Sequence, residues 1–361
     1  MANESGLEDV RRRIDAIDEK LLVLISDRAA LATEVAKLKS SDNSEAVFYR
    51  PEREAQVLRK IIERNKGPIA DEEMARLFRE IMSACLALEQ LLQIAYLGPE
   101  GTFTQSAALK HFGRSVKTKA QASIAEVFRE VESGACHFGV APVENSIEGA
   151  VNHTLDMLIN SSLKICGEVH LRIHHNLMGK AVNLRDIRRV YSHHQSLAQC
   201  RSWLDNNLAG AERIAVSSNA EAAKCVLQDE LSGAIAGDVA AEFYQLPILA
   251  SNIEDDPNNT TRFLILGQNN IAATGNDKTS ILFANANVPG ALQKTLACFS
   301  DNNVNMSRIE SRPSRQGMWK YVFFVDIDGH VEDDVIVQVL QQLKQHALMT
   351  KVLGSYPVAM F

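Results

Sequence analysis

The 361-residue sequence has no CxxC pair among its six cysteines, no apolar run of about 18 residues and no excess of positive charge. The cysteine spacing excludes the common zinc motifs and a disulfide framework, so we expect reduced cysteines. Because the sequence shows neither a signal-peptide core nor a membrane-spanning segment, we expect a cytoplasmic protein. The net charge of −7 argues against a nucleic-acid-binding protein but leaves room for local cation clusters that bind small anions.

Residues 1–93 have the pattern of three helices. The first helix carries apolar residues at alternating three- and four-residue spacing, namely Leu7, Val10, Ile14, Ile17, Leu21, Leu24, Leu31, Val35 and Leu38. A helix of this length needs a surface to pack against, and the segment itself does not supply one. We therefore expect the helix to pack against a second chain. Pro51 suits the first turn of a second helix, and a third helix is expected from near Asp71.

Arg28 interrupts the apolar stripe. A cation in such a position is costly unless it is paired or binds a ligand, so it either binds an anion or sets the helix register. Lys39 lies about three turns further along and points the same way. Arg11 points about 100° away, so it could reach the same pocket only from a second subunit. On the third helix, Cys85 and Glu89 are four residues apart and share a face.

These residues lie in the sequences RRIDAIDEKLLVLISDRAALATEVAKLK, FYRPERE and EIMSACLALEQ, and the segment resembles the all-helical chorismate mutase family. In that family two protomers exchange helices, and each pocket takes one Arg from the other chain. The resemblance implies that Arg28 and a second protomer's Arg11 hold the two carboxylates of chorismate. The other pocket residues that it implies are Lys39 and Glu89 at the ether oxygen, Glu54 at the ring hydroxyl, Arg50 and Cys85. Arg50 stands where the family often has Asp, and Glu89 where it often has Gln.

From Ile94 onward, short apolar strands alternate with helical patterns. This alternation predicts parallel sheets built from strand-helix-strand units, and two such runs predict two α/β lobes with a ligand cleft between them. Polar motifs follow several strands: GPEGTF, PVENS, SHHQ and NNTTRF. The first lacks the residues of a phosphate loop and is either an anion cradle or a turn. The two His pairs lack a third ligand at suitable spacing, so we expect no metal.

In their order, YLGPEGTFTQSAA, GVAPVENSIEGAVNHTLD, GEVHLRIHHNL and NNTTRFLILG resemble prephenate dehydratase. The resemblance implies a two-lobed, periplasmic-binding-protein-like fold without a cofactor. It implies that Thr261 is the residue most closely tied to catalysis and that Arg262 binds a substrate carboxylate. Further substrate-binding residues implied are Thr102, Glu144, Asn145, Ser146, Ser192, Gln195 and Phe263. The acid that assists hydroxide departure stays open between Glu144 and His193.

A polar linker, Gln268–Lys278, precedes a strand-helix-strand-strand-helix-strand order, which predicts a ferredoxin-like α+β sandwich. The helix that opens after Pro289 presents free backbone N–H groups, which suit a carboxylate. The sequences NVPGAL and ESRP resemble those of ACT regulatory domains. The resemblance implies that L-phenylalanine binds at a dimer interface and inhibits the enzyme. The implied ligand residues are Gly290, Ala291, Leu292, Glu310, Ser311, Arg312 and Pro313.

Three segments are therefore expected: a helical chorismate mutase domain at 1–93, a prephenate dehydratase domain at 94–269 and an ACT domain at 279–357. Together they predict a homodimeric enzyme of phenylalanine biosynthesis that acts on chorismate and prephenate. Two alternatives stay open. Arg50 and Glu89 would fit a dehydratase with an impaired mutase, and the two-lobed segment with a sensor would fit a non-enzymatic regulator.

Glu89 gives a prediction for the mutase reaction. An ionised carboxylate cannot donate a hydrogen bond and would repel the negative charge that develops on the ether oxygen, so Glu89 must be protonated in the active form. Mutase activity should therefore fall as pH rises, and Glu89→Gln should remove this dependence because the amide donates at every pH. A flat pH–rate profile that Glu89→Gln leaves unchanged would contradict the assignment.

Overall fold

The computed structural model describes residues 2–41, 48–181, 183–313 and 321–360. The chain divides into two compact units. The first comprises Met1–Arg50, Val57–Leu92 and Phe112–Lys117, and the second comprises Pro51–Gln56, Gln93–His111 and Thr118–Phe361. The second unit thus joins the central and C-terminal segments in one body. Within the described ranges, no helix is long and apolar enough to cross a membrane.

The described part of the N-terminal segment contains the three expected helices, α1 (Ala2–Ser41), α2 (Pro51–Arg64) and α3 (Asp71–Glu89). Pro51 occupies the first turn of α2, and Arg50 is its N-cap residue. The apolar stripe of α1 is exposed along its length in the single chain, from Leu7 at 51% to Leu38 at 66%. A continuous exposed apolar face of this kind is typical of an interaction surface.

The central segment contains eleven strands and seven α-helices among the described residues. The strands are β1 (Gln93–Leu97), β2 (Lys117–Gln121), β3 (Phe138–Asn145), β4 (Gly149–Ala150), β5 (Lys164–Arg172), β6 (Asn176–Gly179), β7 (Arg189–His193), β8 (Glu212–Val216), β9 (Ser232–Ala236), β10 (Ile248–Ala250) and β11 (Thr260–Gly267). The helices are α4 (Phe103–Phe112), α5 (Ile124–Glu132), α6 (Asn152–Asn160), α7 (His194–Gln199), α8 (Arg201–Asn207), α9 (Asn219–Val226) and α10 (Asp238–Tyr244).

Two sheets form the two lobes. The first has the strand order β2-β1-β3-β11-β5, with β4 paired to β3, and the second has the order β10-β6-β9-β7-β8. The prediction of parallel pairing is right for β1 with β3 and for β7 with β8 and β9. It is wrong for β11, which runs antiparallel to both β3 and β5, and for β6, which is antiparallel to β9 and β10. Strand β11 re-enters the first sheet only after the chain has completed the second lobe.

The C-terminal segment has the predicted element order. It consists of β12 (Asp277–Ala284), α11 (Ala291–Ser300), β13 (Met306–Pro313), β14 (Tyr321–Asp328), α12 (Asp334–His346) and β15 (Met349–Pro357). The sheet order is β13-β14-β12-β15, and all three neighbouring pairs are antiparallel. One face packs against α11 and α12 through residues such as Phe283, Phe299 and Leu343. The predicted start of the β14 strand at Trp319 lies outside the described residues.

The other face of this C-terminal sheet packs against the first lobe. Leu282 and Phe324 share one buried core with Leu264 and Leu266 of β11. Strand β15 approaches β5 so closely that a Cβ on Gly354 would collide with the backbone of Ile165. Apolar burial and close backbone packing therefore dock the C-terminal sheet onto the lobe that carries β11.

A lysine adds polar contacts to this docking. The Nζ atom of Lys351 on β15 donates to the carbonyl oxygens of Leu158, Ile159 and Ser161, at 2.9, 3.1 and 2.6 Å. These carbonyls lie at the C-terminal end of α6, where backbone acceptors lack helical partners and a cation is favoured. The C-terminal segment thus caps a helix of the first lobe.

Candidate functional site

Two of the predicted mutase cations lie on α1. Arg28 is half-buried, and within the described residues it makes no hydrogen bond or ion pair. Arg11 is exposed, and 17 residues of helix separate it from Arg28 by about 25 Å. One copy of α1 therefore cannot bring the two guanidinium groups to the same small ligand.

Lys39 and Glu89 come together where α1 and α3 pack. The Lys39 Nζ lies 3.7 Å from Glu89 Oε2 and donates to the Phe48 carbonyl oxygen at 3.3 Å. Glu89 Oε2 is buried and has no hydrogen-bond partner in the described chain. Cys85 is buried one turn before Glu89. The Lys39 ammonium group and an unsatisfied carboxyl oxygen of Glu89 therefore lie close together, beside the buried Cys85 thiol. This arrangement suits a polar atom of a ligand.

The remaining two mutase residues lie at the start of α2. Arg50 is its N-cap residue, and Glu54 is half-buried in the first turn. Both make interactions within the chain. Their expected contact with the ring hydroxyl stays a prediction.

In the central segment, a hydrogen-bonded pair joins the ends of β3 and β11. The Asn145 Nδ2 donates to Thr261 Oγ1 at 2.8 Å and to Asn259 Oδ1 at 2.8 Å. The Asn145 Oδ1 accepts from the backbone N–H groups of Ile147 and Glu148 at 3.0 and 3.1 Å. The donor and acceptor atoms of the Asn145 side-chain amide are therefore all used, and this fixes its orientation. Because the Thr261 oxygen accepts from Asn145, its own O–H is available to donate to a substrate.

The same network continues into the second lobe. Asn259 Nδ2 donates to Gln199 Oε1 at 3.2 Å, and that oxygen lies 2.8 Å from His175 Nε2. His175 is 1% exposed, and burial lowers its pKa, so the ring is a neutral hydrogen-bonding group. The sequence reasoning missed Asn259 and Gln199 as members of the site. The NNTTRF motif contains Asn259, but nothing local to Gln199 signals its long-range partner.

Three other predicted residues surround this network. The Thr102 hydroxyl donates to the Leu97 carbonyl oxygen at the end of β1, and Ser146 Oγ accepts from the backbone N–H of Thr260 at 3.0 Å. Gln195, on the second lobe, donates to Glu148 Oε2 at 2.5 Å. The Gln195 contact joins α7 to the turn after β3, so the two lobes meet at this position.

Two predicted substrate-binding residues are buried inside the lobes, and their role stays a prediction. Ser192 is fully buried, and its hydroxyl is bonded to the Ile235 carbonyl oxygen and the Asn219 side chain, each at 2.9 Å. Phe263 is 2% exposed. Both residues support the strands from inside the lobes.

Arg262 does not face Thr261 either. Its guanidinium is buried between β11 and the C-terminal sheet, where it donates to Glu168 Oε2 at 2.8 Å and to Asp326 Oδ2 at 2.6 Å. Burial alone would lower the pKa of Arg262, but Tyr356, Asp326 and Glu168 together raise it. In this arrangement protein carboxylates already match the charge of the guanidinium, so the structure gives no support to the expected contact with a substrate carboxylate.

The structure also shows the surroundings of the two candidate acids, Glu144 and His193. The Glu144 carboxylate lies 2.9 Å from Arg308 Nε on β13, although the pair is poorly aligned for a hydrogen bond. Burial, with His194 beside it, lowers the pKa of His193, so its ring is neutral at neutral pH and has no imidazolium proton to give. The Thr261 hydroxyl accepts from Asn145 and donates to no acceptor among the described residues.

Three successive stretches of the chain match models of known protein families. Family models for chorismate mutase type II, prephenate dehydratase and the ACT domain match residues 10–90, 94–271 and 279–345. The bifunctional chorismate mutase/prephenate dehydratase of Stutzerimonas stutzeri is 58% identical over 99% of this chain and 100% of that protein. The protein of the same name from Pseudomonas aeruginosa is 57% identical over the same shares.

The chain belongs to the bifunctional chorismate mutase/prephenate dehydratase family. Among solved structures, the prephenate dehydratase from Arthrobacter aurescens in complex with L-Phe has a TM-score of 0.68 and 34% identity, and the match covers 74% of this chain and 90% of that one. The expected fold class is confirmed: a helical mutase segment, a two-lobed dehydratase and an ACT sheet. Within the described residues, no group of three His, Cys, Asp or Glu side chains could hold a metal ion.

The expected regulatory residues of the ACT domain lie in two places. Gly290 is the N-cap of α11 with a φ of 78°, a left-handed conformation that favours glycine. No side chain caps the first turn of α11 at Leu292, whereas the Ala291 N–H donates to the Val288 carbonyl oxygen at 3.2 Å. Residues 310–313 end β13, and in the described chain no hydrogen bond or ion pair joins them to the Gly290 turn.

Arg312 contacts the dehydratase domain instead of the other expected regulatory residues. Its Nε and Nη2 lie 3.1 and 2.9 Å from Asp156 Oδ1, and it also contacts Asn152. Arg308 and Arg312 lie on the same, half-buried face of β13 because alternate residues of a strand share a face. The strand that carries the ESRP motif is therefore attached at two points to the dehydratase.

The Thr261 geometry gives a prediction for the dehydratase family reaction. Thr261→Val keeps the side-chain shape but removes the hydroxyl, so dehydratase kcat should fall by at least about a hundredfold, in the range of lost proton donors. Mutase activity should be unchanged. Thr260→Val is the matched control, since Thr260 precedes Thr261 and makes only a long, 3.4 Å side-chain hydrogen bond to Asn258. Full dehydratase activity in Thr261→Val, measured with prephenate, would show that another group assists the reaction.

Proposed function

We propose that the chain catalyses two consecutive steps of L-phenylalanine biosynthesis, from chorismate to prephenate in the helical segment and from prephenate to phenylpyruvate in the two-lobed segment. We further propose that it acts as a cytoplasmic homodimer that L-phenylalanine inhibits. The observation that carries the proposal is the Asn145–Thr261 hydrogen bond, which presents a free hydroxyl proton in a chain whose three segments match the three family models in order.

The mutase reaction requires charged groups in the pocket and a fixed position of the substrate. The rearrangement transfers no proton and uses no nucleophile, so the pocket must fold the dianionic substrate and hold it, an effect worth about 7–11 kcal/mol in well-oriented systems. The half-buried Arg28 has no acidic partner in the described chain and is therefore available for a substrate carboxylate. Lys39 and Glu89 supply polar atoms for the ether oxygen, where negative charge develops.

A second copy of the chain completes this pocket. Arg11 lies too far from Arg28 along α1 to act in the same protomer. The exposed apolar stripe of α1, from Leu7 to Leu38, is the surface on which a second α1 would pack. Pairing of the two helices would bury the stripe and deliver Arg11 to the neighbouring pocket.

The dehydratase reaction has a clear proton requirement. The prephenate dianion separates into the phenylpyruvate anion, CO₂ and hydroxide, so the C–C bond to the carboxylate and the C–O bond break while the ring becomes aromatic. The departing oxygen gathers negative charge and needs a hydrogen-bond donor. Thr261 supplies that donor, because its oxygen is held by Asn145 and its O–H is directed elsewhere.

L-phenylalanine acts through the ACT domain in this proposal. The Arthrobacter aurescens relative was solved in complex with L-Phe. In this chain the Gly290 turn offers N–H groups to a carboxylate, and β13 carries the ESRP residues. Since no hydrogen bond or ion pair joins these two elements among the described residues, a site at a dimer interface fits the arrangement. Arg308 and Arg312 of β13 contact Glu144 and Asp156, which provides a path from the bound amino acid to the dehydratase.

The function is tested with the purified full chain and each substrate. The wild-type protein should consume chorismate and release phenylpyruvate, which separates it from a regulator without activity and from a dehydratase with an impaired mutase. Arg28→Gln should lower chorismate consumption by at least about a hundredfold, the usual cost of losing a buried charged partner, but should still convert added prephenate. Arg13→Gln, an exposed Arg on the same helix, is the control. Failure of the wild type to consume chorismate would refute the mutase assignment.

The proposed inhibition path gives a separate prediction. Asp156→Asn weakens the attachment of β13 to α6, so the L-phenylalanine concentration for half inhibition should rise at least about fivefold, the low end of typical coupling. The uninhibited dehydratase rate should stay the same. Asp186→Asn removes an exposed carboxylate that bonds only Asn183 and is the control. Unchanged inhibition in Asp156→Asn would exclude this contact from the path.

A further inference from the structure

Arg262 lies beside the proposed catalytic hydroxyl in sequence but faces the opposite way. Successive side chains of a strand point to opposite faces of the sheet, so Thr261 and Arg262 must diverge. Arg262 shares its face with Leu264 and Leu266, which pack in the same core as Leu282 of the ACT sheet. The strand that presents Thr261 on one face is therefore bound to the ACT domain through the other.

The Arg262 guanidinium is held by three partners. Its Nε donates to Glu168 Oε2 at 2.8 Å, its Nη1 to Asp326 Oδ2 at 2.6 Å and its Nη2 to Tyr356 Oη at 3.0 Å. The side chains of Arg262, Glu168 and Asp326 are 9, 1 and 6% exposed. Turning the guanidinium toward the cleft would leave two buried carboxylates without this partner, which is strongly unfavourable.

The ACT sheet closes this set of contacts into a ring. Ser280 Oγ donates to Asp326 Oδ1 at 2.5 Å and lies 2.7 Å from Tyr356 Oη. Lys278 Nζ donates to the second oxygen of Glu168 at 2.8 Å. Arg262 and Glu168 come from the dehydratase, whereas Lys278, Ser280, Asp326 and Tyr356 come from β12, β14 and β15. The position of Arg262 is thus determined by ACT residues from three strands.

We infer that Arg262 is a positioning residue of the dehydratase: the ACT sheet holds its guanidinium and thereby fixes the β11 backbone that presents Thr261. This inference rests on the proposed role of Thr261. It gives the ACT sheet a part in catalysis even when no amino acid is bound. Loosening the ring on the ACT side should misplace the Thr261 hydroxyl without removing any group that binds prephenate.

The consequence is a specific kinetic signature. A small displacement of a catalytic group slows the chemical step, so Asp326→Asn should lower dehydratase kcat at least about tenfold. KM for prephenate should stay within about twofold, because no substrate contact is lost. Tyr356→Phe, which removes one hydrogen bond of the ring and little volume, should change kcat in the same direction by a smaller factor. A carboxylate ligand at Arg262 would instead raise KM when Arg262 is replaced and would make both ACT variants silent.

The experiment compares Asp326→Asn, Tyr356→Phe and Arg262→Gln in the full chain, with prephenate as substrate. Asp328→Asn is the matched control, because Asp328 lies on the same strand, is exposed and bonds only Asn305 outside the strand ladder. Turnover is expressed per folded molecule, from circular dichroism at the assay temperature, and mutase activity is measured on the same samples. A substitution that only lowers the folded fraction leaves turnover per folded molecule unchanged. If Asp326→Asn does not fold, Tyr356→Phe decides the question.

Lower kcat at constant KM in the two ACT variants, with normal Asp328→Asn, is the expected result. Wild-type kcat in Asp326→Asn and Tyr356→Phe overturns the inference, and a raised KM in Arg262→Gln alone would return Arg262 to the substrate. The Thr261→Val variant distinguishes failure of the proposed dehydratase site from failure of the positioning role of Arg262. If Thr261→Val keeps full activity, the proposed dehydratase site fails. If it is inactive while the ACT variants are normal, only the positioning by Arg262 fails.

Discussion

The buried ion-pair network around Arg262 is the constraint on which the second unit depends. Apolar contact between the first lobe and the ACT sheet provides attraction, but such contact is not directional. Two cations and two carboxylates that are removed from water must instead meet in one geometry, because any other docking leaves a buried charge unpaired. Burial alone would raise the pKa of Glu168, yet His170, Arg262 and Lys278 lower it well below its usual range. Since the folded carboxyl has the lower pKa, its contribution to stability is present at neutral pH and is lost as pH falls below the ordinary Glu range.

This constraint places the proposed catalytic hydroxyl and the contacts to the ACT sheet on opposite faces of one strand. Strand β11 is central in the first sheet, between β3 and β5. One face presents Thr261 to Asn145 of β3, and the other receives the ACT sheet through Arg262. Arg308 and Arg312 of β13 add contacts to Glu144 and α6. The proposed mutase pocket needs no such coupling, because it would require only fixed cations and the proposed second copy of α1.

The sequence predicted what local patterns determine and missed what distant partners decide. The stripe of α1 and the ACT element order follow from local sequence patterns, whereas the role of Thr261 is implied by the resemblance and stays a prediction. The resemblance implies a place in the cleft for Ser192, whereas in the structure its hydroxyl is satisfied by Asn219 and Ile235 far along the chain. Strand β2 gave no apolar signal because its sequence KTKAQ forms a largely exposed edge. Arg262 was grouped with Thr261 by motif, although strand alternation alone assigns the two residues to opposite faces.

The most direct test of this account is a crystal structure of the full chain with a prephenate-like dicarboxylate in the dehydratase cleft. The account predicts that the ligand contacts the Thr261 hydroxyl, while the Arg262 guanidinium keeps its hydrogen bonds to Glu168, Asp326 and Tyr356. A guanidinium that has left this network and binds a ligand carboxylate would contradict it.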